Sequence, residues 1–410
     1  MIFFKALAIV FTLCAVFGFL NVRFLKLPPT IGLLIFSIVL AICVRFSGSM
    51  GVHPGLETWI QGVDFNETLM VGLLSYLLFA GALHVNLDDL WTYRGEIGML
   101  STIGVLVSTF LVGAAIYGIT WAAGKPLPVM YALLFGAMIS PTDPIAVLGI
   151  MKQAGAPHDL SVKISGESLF NDGIGVVVFL VLAGLATGTS HLSAGHVGHL
   201  VGLEIGGGIL LGLVLGGIAF VALKSIDDYP VEILITLAVV TGGYALALIW
   251  HLSGPIAVVV AGLMIGNHGR RLAMSEKTRQ HLDLFWALVD EILNAVLFVL
   301  IGLEVVLVSI AGWHLIMGLV AIPVVLFARY ACVKGTLALF KASASGTAGV
   351  LTWAGLRGGI SVALALSLPA CEMRELLLTM TYCVVAFSLV VQGLSIRRLL
   401  AWYIQGVDGR

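Results

Sequence analysis

Apolar residues form long, nearly continuous runs along the chain, and short polar segments separate them. A membrane-spanning helix needs roughly 17–25 mostly apolar residues. Runs near this length occur thirteen times, at residues 2–20, 28–46, 67–85, 97–123, 129–151, 165–187, 196–223, 231–250, 255–269, 282–306, 315–335, 346–369 and 376–396. The pattern predicts an all-α polytopic membrane protein with about 13 transmembrane helices. Since no intervening segment is long enough to fold separately, residues 1–410 are expected to form a single transmembrane domain.

The composition agrees with a bilayer as the solvent. Of the 410 residues, 60% are hydrophobic and 10% are charged, whereas a soluble protein of this size needs a charged surface. The net charge of −1 gives no support to nucleic-acid binding. The five cysteines lack metal-type spacing, and no glycine-rich phosphate motif follows a strand. Neither a bound cofactor nor an enzyme activity is therefore expected.

Basic residues indicate the orientation, because Arg and Lys favour the cytoplasmic ends of transmembrane helices. With the N-terminus outside, sixteen basic residues, among them Arg329, fall on the cytoplasmic side and four on the outer side. This asymmetry predicts an outside N-terminus and a cytoplasmic C-terminus in the cell membrane, and it supports an odd number of spans.

The fifth predicted span contains the segment ISPTDP, in which Asp143 lies between Pro141 and Pro144. Each proline removes an amide hydrogen and clashes with the preceding turn, so the helix is expected to open here. Opened backbone is tolerated in the membrane only where it lines a cavity or meets protein. Asp143 is either a structural helix cap or an ion ligand, and the flanking prolines favour a ligand. Thr142 adds a hydroxyl and a free carbonyl at the same depth.

The sixth predicted span begins with SGESLFNDG. Ser168, Asn171 and Asp172 are three to four residues apart, so they share one face of a helix. This face offers oxygen ligands and one titratable carboxylate, and hard cations such as sodium prefer oxygen ligands. The sequence therefore predicts a cation site formed by this face and the break at Asp143.

The twelfth predicted span contains GLRGGIS, where glycines flank Arg357. An arginine at membrane depth needs a partner, and Glu167 is the predicted one, as a structural ion pair. Asp143 and Arg357 are 214 residues apart, and the same offset relates the third span to the tenth. The pattern is typical of secondary transporters, in which inverted repeats bring two interrupted helices together at the substrate site.

Further polar residues have open interpretations. Asp290 and Glu291 in the tenth span could line the ion route or lie near its cytoplasmic mouth. His191, His196 and His199 lie close together, and a polar outer loop is favoured over a metal site or pH sensor because no acidic or cysteine partners accompany them.

ISPTDP, GESLFNDG and GLRGGIS at this spacing resemble the NhaP-type branch of the sodium/proton antiporters, within the monovalent cation:proton antiporter superfamily. The resemblance implies that Asp172 binds either cation or proton. Ser168 and Asp143 would be further Na⁺ ligands, and Thr142 would contribute its backbone carbonyl. Asn171 stands where electrogenic relatives have a second aspartate, which implies an electroneutral exchange.

The resemblance also implies an arrangement of the spans. Spans 4–6 and 11–13 would form a moving ion-transport core, spans 1–3 and 8–10 a homodimer interface, and span 7 a link between them. One departure concerns the third span, which reads LFAGAL with Ala80 where some relatives have a glutamate. One carboxylate ligand is therefore expected to be missing from the coordination shell.

Competition of Na⁺ and H⁺ for Asp172 predicts cation/proton antiport across the lipid bilayer. Alternatives are a K⁺/H⁺ antiporter and a gated ion channel, although a channel has no need of a titratable residue at its site. An intramembrane aspartyl protease also requires two carboxylates, but its GxGD signature is absent.

Overall fold

The computed structural model describes residues 2–49, 72–186, 194–305, 312–340, 346–369 and 371–408. Over these residues the regular secondary structure is helical, as the apolar runs predict. The helices are α1 (Ile2–Leu20), α2 (Pro29–Ser49), α3 (Leu74–His84), α4 (Leu87–Thr92), α5 (Arg94–Ser101), α6 (Ile103–Ala122), α7 (Val129–Ile139), α8 (Ile145–Ala154), α9 (His158–Ala186), α10 (Ala194–Ser225), α11 (Tyr229–Ile249), α12 (Gly254–Met264), α13 (Arg270–Leu272), α14 (Glu276–Glu304), α15 (Gly312–Leu339), α16 (Thr347–Ala354), α17 (Gly359–Ser367), α18 (Glu372–Phe387) and α19 (Gly393–Asp408).

Every predicted apolar run overlaps at least one of these helices. Within the described residues, nine helical segments are long and apolar enough to cross a membrane, or ten if α16 and α17 count as one bent span. The third, fifth and ninth predicted runs contain shorter helices, and residues 67–71 of the third lie outside the described residues. The polytopic all-α architecture is confirmed, whereas helix length does not confirm the number thirteen.

Both predicted interruptions are present. Residues 140–144 between α7 and α8 are not helical, and α16 is bent by 51° relative to α17 across residues 355–358. The first break follows from two prolines in four residues, which remove donors and exclude the regular helical backbone. The second break falls at glycines, which stabilise a helix least among the non-proline residues.

Three wide, π-type turns that lie wholly within the described residues are not predicted by the apolar pattern. They cover Asn21–Leu25 after α1, Ile265–Gly269 between α12 and α13, and Ser388–Gln392 between α18 and α19. Such turns insert one extra residue into a helix and are frequent at functional sites. The third of these turns carries Ser388 to the broken helix α16–α17.

Apolar packing divides into two large clusters of buried side chains. One joins α1 and α2 to α6–α9 and α15–α19, and the other surrounds α3, α10, α11 and α12. The long helix α14 belongs to both, since Leu282 and Trp286 lie in the second cluster and Leu297 and Leu303 in the first. α14 therefore runs along the boundary between the clusters, where the cavity described below is found.

Large apolar side chains also cover the exterior of the molecule. Phe110 on α6, Leu210 on α10 and Leu234 on α11 are each more than half exposed. An exterior of this kind matches a lipid environment, because contiguous exposed apolar surface is unfavourable in water. The proposed division into a moving core and a dimer interface stays a prediction.

Candidate ion-binding site

The broken end of α7 is closed by an arginine from the other interrupted helix. Ser140 and Pro141 present carbonyl oxygens that the helix does not use, because the chain leaves the helical path after Ile139. The buried Arg357 guanidinium donates to both carbonyls, at 2.6 and 2.8 Å. A cation at the C-terminal end of a helix also interacts favourably with the helix dipole.

The two interruptions are hydrogen-bonded to each other. The backbone amide of Asp143 donates to the carbonyl oxygen of Leu356 at 2.8 Å. The backbone amide of Arg357 donates to Ser388 Oγ at 2.9 Å, which fixes the second break from the opposite side. Gly358 packs against the Asp143 side chain, whose carboxyl group occupies the space that a β-carbon at Gly358 would need. The predicted crossing of two interrupted helices is present.

Helix α9 is attached to the first break through Thr142. Ser168 Oγ donates to the Thr142 carbonyl at 2.5 Å, and Asn171 Nδ2 donates to Thr142 Oγ1 at 2.8 Å. Asn171 Oδ1 in turn accepts a hydrogen bond from the Thr142 amide at 3.4 Å. The predicted polar face of α9 therefore meets the break at the predicted place.

Asp172 lies on the same face and is 7% exposed. Its Oδ1 atom makes no hydrogen bond to any residue that the structure describes. Asp172 lines a cavity of about 400 Å³ together with Asp143 and Ser168. The other walls are mostly apolar and come from α3, α8, α14 and α17. A carboxylate oxygen in such surroundings requires a proton or a cation as its partner.

The five predicted ion ligands are brought together, but they face the cavity to different degrees. Asp172, Asp143 and Ser168 line it, whereas Thr142 and Asn171 are buried beside it and bonded to one another. The Thr142 carbonyl already accepts the Ser168 hydroxyl. Coordination of an ion by any of the five residues stays a prediction.

The predicted pairing of Glu167 with Arg357 is wrong. Glu167 forms a bidentate ion pair with Arg329, whose Nη1 contacts Oε1 and whose Nη2 lies 2.8 Å from Oε2. Arg357 is engaged by the carbonyls of Ser140 and Pro141 instead. Arg329 was assigned to the cytoplasmic surface, but it is 6% exposed within α15. The missed signal is an arginine inside an apolar run, which needs an acidic partner as much as Arg357 does.

The two neighbouring acids of α14 have different positions. Asp290 is half-buried and lines the cavity, as does Leu297 two turns further along the same face. Glu291 is exposed on another face of the helix and does not line it. The position of Asp290 therefore agrees with a role in the ion route, whereas the position of Glu291 does not.

Ala80 is not among the residues that line the cavity. It is buried in the second apolar cluster, while Leu77, Gly81 and His84 on the neighbouring face of α3 line the cavity. His191 lies outside the described residues, and the side chains of His196 and His199 on α10 are not described either.

A second cavity of about 360 Å³ adjoins the first, and His84 and Val85 line both. The second cavity is mainly polar, with Asn86, Arg270 and Arg271 among its lining residues. Arg270 makes an ion pair with Asp283, and Arg271 lies 3.6 Å from Asp88. The second cavity thus places this charged surface next to the cavity that Asp172 lines, with His84 on the shared wall.

A family model described as sodium/hydrogen exchanger, transmembrane, matches residues 9–402. The chain belongs to the sodium/hydrogen exchanger family. It is 47% identical over 393 residues to the Na⁺/H⁺ antiporter NhaP of Pseudomonas aeruginosa, which covers 93% of this chain and 92% of that protein. It is 35% identical to the Na⁺/H⁺ antiporter NhaH of Halobacillus aidingensis, with 92% of each chain covered. The family predicted from the three motifs is confirmed.

The fold has a solved counterpart. The structure of the sodium proton antiporter MjNhaP1 from Methanocaldococcus jannaschii matches with a TM-score of 0.77 and covers 98% of this chain and 99% of that one. Sequence identity over this match is 19%, so the likeness concerns the fold. In this sodium/hydrogen exchanger, the fold places the buried carboxylate of Asp172 beside two crossing, interrupted helices.

Proposed function

We propose that this protein is a secondary active transporter that exchanges Na⁺ for H⁺ across the membrane, with both ions competing for Asp172. The observation that carries the proposal is the Asp172 Oδ1 atom, which has no hydrogen-bond partner among the described residues and faces a cavity shared with Asp143 and Ser168. Relatives that cover nearly the whole chain are named Na⁺/H⁺ antiporters, which favours sodium over potassium.

Exchange follows from the cost of a bare charge in a dry site. An ionised carboxylate without a counter-ion is strongly disfavoured inside the hydrocarbon region. Asp172 therefore passes between the two sides with Na⁺ or with H⁺, while the empty, charged form does not cross. This rule separates an antiporter from a gated channel, in which ions move without obligatory exchange.

We further propose that the exchange is electroneutral. Asn171 is uncharged and is held by two hydrogen bonds to Thr142, so its place on α9 adds no second titratable group. One Na⁺ then replaces one H⁺ at Asp172. Exchange should proceed at the same rate when the membrane potential is clamped at zero or at an inside-negative value, and an accelerated or slowed rate would contradict the proposal.

In the proposed setting the protein is a multi-pass homodimer of the cell membrane with its N-terminus outside and its C-terminus in the cytoplasm. Arg270 and Arg271 lie beside the second cavity, and basic residues favour cytoplasmic segments. The path past His84 then opens to the cytoplasm. Na⁺ from the cytoplasm would enter by this path and displace the proton from Asp172.

The test uses the purified protein in proteoliposomes with an acidified lumen and a fluorescent pH indicator. Na⁺ added outside should dissipate the acid interior, with Li⁺ as a weaker substitute and K⁺ without effect. Exchange with K⁺ alone would replace the sodium proposal. An ion current without coupled proton movement would replace antiport by a channel.

A further inference from the structure

A third carboxylate faces the cavity and has no part in the exchange described above. Asp290 on α14 lines the same space as Asp143 and Asp172, but it comes from a different helix. The cavity therefore carries negative charge on two of its walls.

Asp290 lies between the charged entrance and the buried site. Asp283, which is paired with Arg270 at the entrance, precedes it by seven residues on α14. At 1.5 Å per residue this places Asp290 roughly 10 Å further along the helix axis. Asp290 is half-buried, whereas Asp172 is 7% exposed, so a cation at Asp290 keeps more of its water than one at Asp172.

Asn294 follows Asp290 by four residues on α14, so the two side chains lie on the same face of the helix. Asn294 is 3% exposed, and its Oδ1 atom has no hydrogen-bond partner in the part of the chain that the structure describes. A carboxylate and a carbonyl oxygen one turn apart are the kind of ligands that hard cations use. The apolar walls from Leu77 and Leu297 strengthen the field that such a carboxylate exerts on a cation.

We propose that Asp290 is a capture site for partly hydrated Na⁺, which holds the ion on its way from the entrance to Asp143 and Asp172. The proposal rests on the proposed Na⁺/H⁺ exchange and adds the residue that sets the apparent sodium affinity. Asp290 raises the local concentration of the cation, and the proton exchange itself stays at Asp172. Asp290 therefore affects the Na⁺ concentration for half-maximal exchange rather than the maximal rate.

The experiment compares Asp290→Asn, Asp290→Glu and Glu291→Gln with the unaltered protein in proteoliposomes over a range of Na⁺ concentrations. Asp290→Asn should raise the Na⁺ concentration for half-maximal exchange about 5- to 10-fold and change the maximal rate less than about two-fold. Asp290→Glu keeps the carboxylate, so its Na⁺ concentration for half-maximal exchange should equal that of the unaltered protein. Glu291→Gln is the matched control, because Glu291 is the adjacent acid on the same helix but lies outside the cavity, and it should change neither quantity.

If Asp290→Asn left the Na⁺ concentration for half-maximal exchange unchanged, the capture site would be overturned, whatever the maximal rate of the variant. Binding of radiolabelled sodium to the purified proteins repeats the comparison without transport, and the affinity of Asp290→Asn should fall by the same factor. If the unaltered protein shows no exchange with any cation, the proposed function fails, while the binding comparison still decides the role of Asp290.

Discussion

Polar side chains on the α9 face beside the first break differ in what their oxygen atoms contact. Ser168 Oγ donates to the Thr142 carbonyl and Asn171 Oδ1 accepts from the Thr142 amide, and these bonds hold the break against the helix. Asp172, one residue after Asn171, leaves Oδ1 without a described partner and turns toward the cavity. Ser168 and Asn171 therefore fix the geometry of the break, whereas the Oδ1 atom of Asp172 can take a cation or a proton as its partner.

Asp172→Asn should abolish Na⁺-dependent proton movement, because an amide neither ionises nor releases a proton at any pH of interest. Initial rates in proteoliposomes with an acidified lumen measure this effect. Asp159→Asn is a suitable control, since Asp159 lies on the same helix with its side chain 46% exposed, and it should keep nearly full activity. Full activity of Asp172→Asn would refute the assignment of the exchanged proton to this residue.

Arg329→Ala should destabilise the protein strongly, because it leaves the Glu167 carboxylate buried without its counter-charge. Breaking a buried ion pair from one side costs about 3–5 kcal/mol. Thermal unfolding in detergent provides the measurement, and the exposed Arg397→Ala is the matched arginine control. A midpoint for Arg329→Ala equal to that of Arg397→Ala would show that the pair does not contribute to the free energy of unfolding.

The pairing of Glu167 shows what residue patterns fail to determine. The sequence establishes that Glu167 and Arg357 lie at membrane depth and need partners. It does not determine which of two arginines faces which acceptor, because the choice depends on the rotation of α15 and on the carbonyls freed at Ser140 and Pro141. An arginine can be satisfied by carbonyl oxygens alone, and this outcome leaves no acidic residue in the sequence to indicate it.

Among the helices, the two breaks were predictable and the wide turns were not. Prolines within residues 140–144 and glycines within residues 355–358 indicate the two breaks in the local sequence. The turn Ser388–Gln392 reads SLVVQ, which contains no residue that excludes a regular helix. This turn makes a tertiary hydrogen bond instead, in which Ser388 Oγ accepts from the Arg357 amide. Local sequence carries no signal for a turn of this kind.

Gly358→Ala should impair exchange, because the added methyl group would displace the Asp143 carboxyl group from the break. The backbone of Gly358, at φ −130° and ψ −152°, is extended and accessible to alanine, so the effect comes from crowding rather than from backbone strain. Overpacking of this kind costs about 1–3 kcal/mol. We expect a higher Na⁺ concentration for half-maximal exchange in proteoliposomes.

Gly349→Ala is the control for this substitution, since a β-carbon at Gly349 on α16 meets no atom within 4 Å. It should leave half-saturation unchanged. If Gly358→Ala behaved like Gly349→Ala, the contact between the second break and Asp143 would have no role in ion binding.

At the scale of the whole molecule, the two adjoining cavities connect one surface to Asp172. Composition predicted the membrane, and basic residues predicted which ends of the helices face the cytoplasm, but neither indicates where empty space remains between helices. The cavity arises where α14 passes from one apolar cluster to the other. Its position depends on how the two clusters fit together.

A cysteine at the shared wall tests the direction in which this path opens. In a variant with all five natural cysteines replaced by alanine, His84→Cys should react with a membrane-impermeant thiol reagent from the cytoplasmic side. Lys125→Cys, exposed in the segment between α6 and α7, should react from the outer side. Labelling in right-side-out and inside-out vesicles measures both, and the reverse pattern would invert the proposed orientation.

The amide of Asp143 bonded to the carbonyl of Leu356, together with the two bonds from Arg357, joins α7, α8, α16 and α17 at one point. A joint of this kind leaves little freedom for one broken helix to shift past the other, so in the predicted moving core the four segments would move together as a rigid body. Sliding would then occur at the seam where this body meets α3 and α14. Leucines such as Leu74, Leu77 and Leu297 line that seam. Their contacts have no preferred direction, so the seam can exchange one set of neighbours for another without breaking a hydrogen bond.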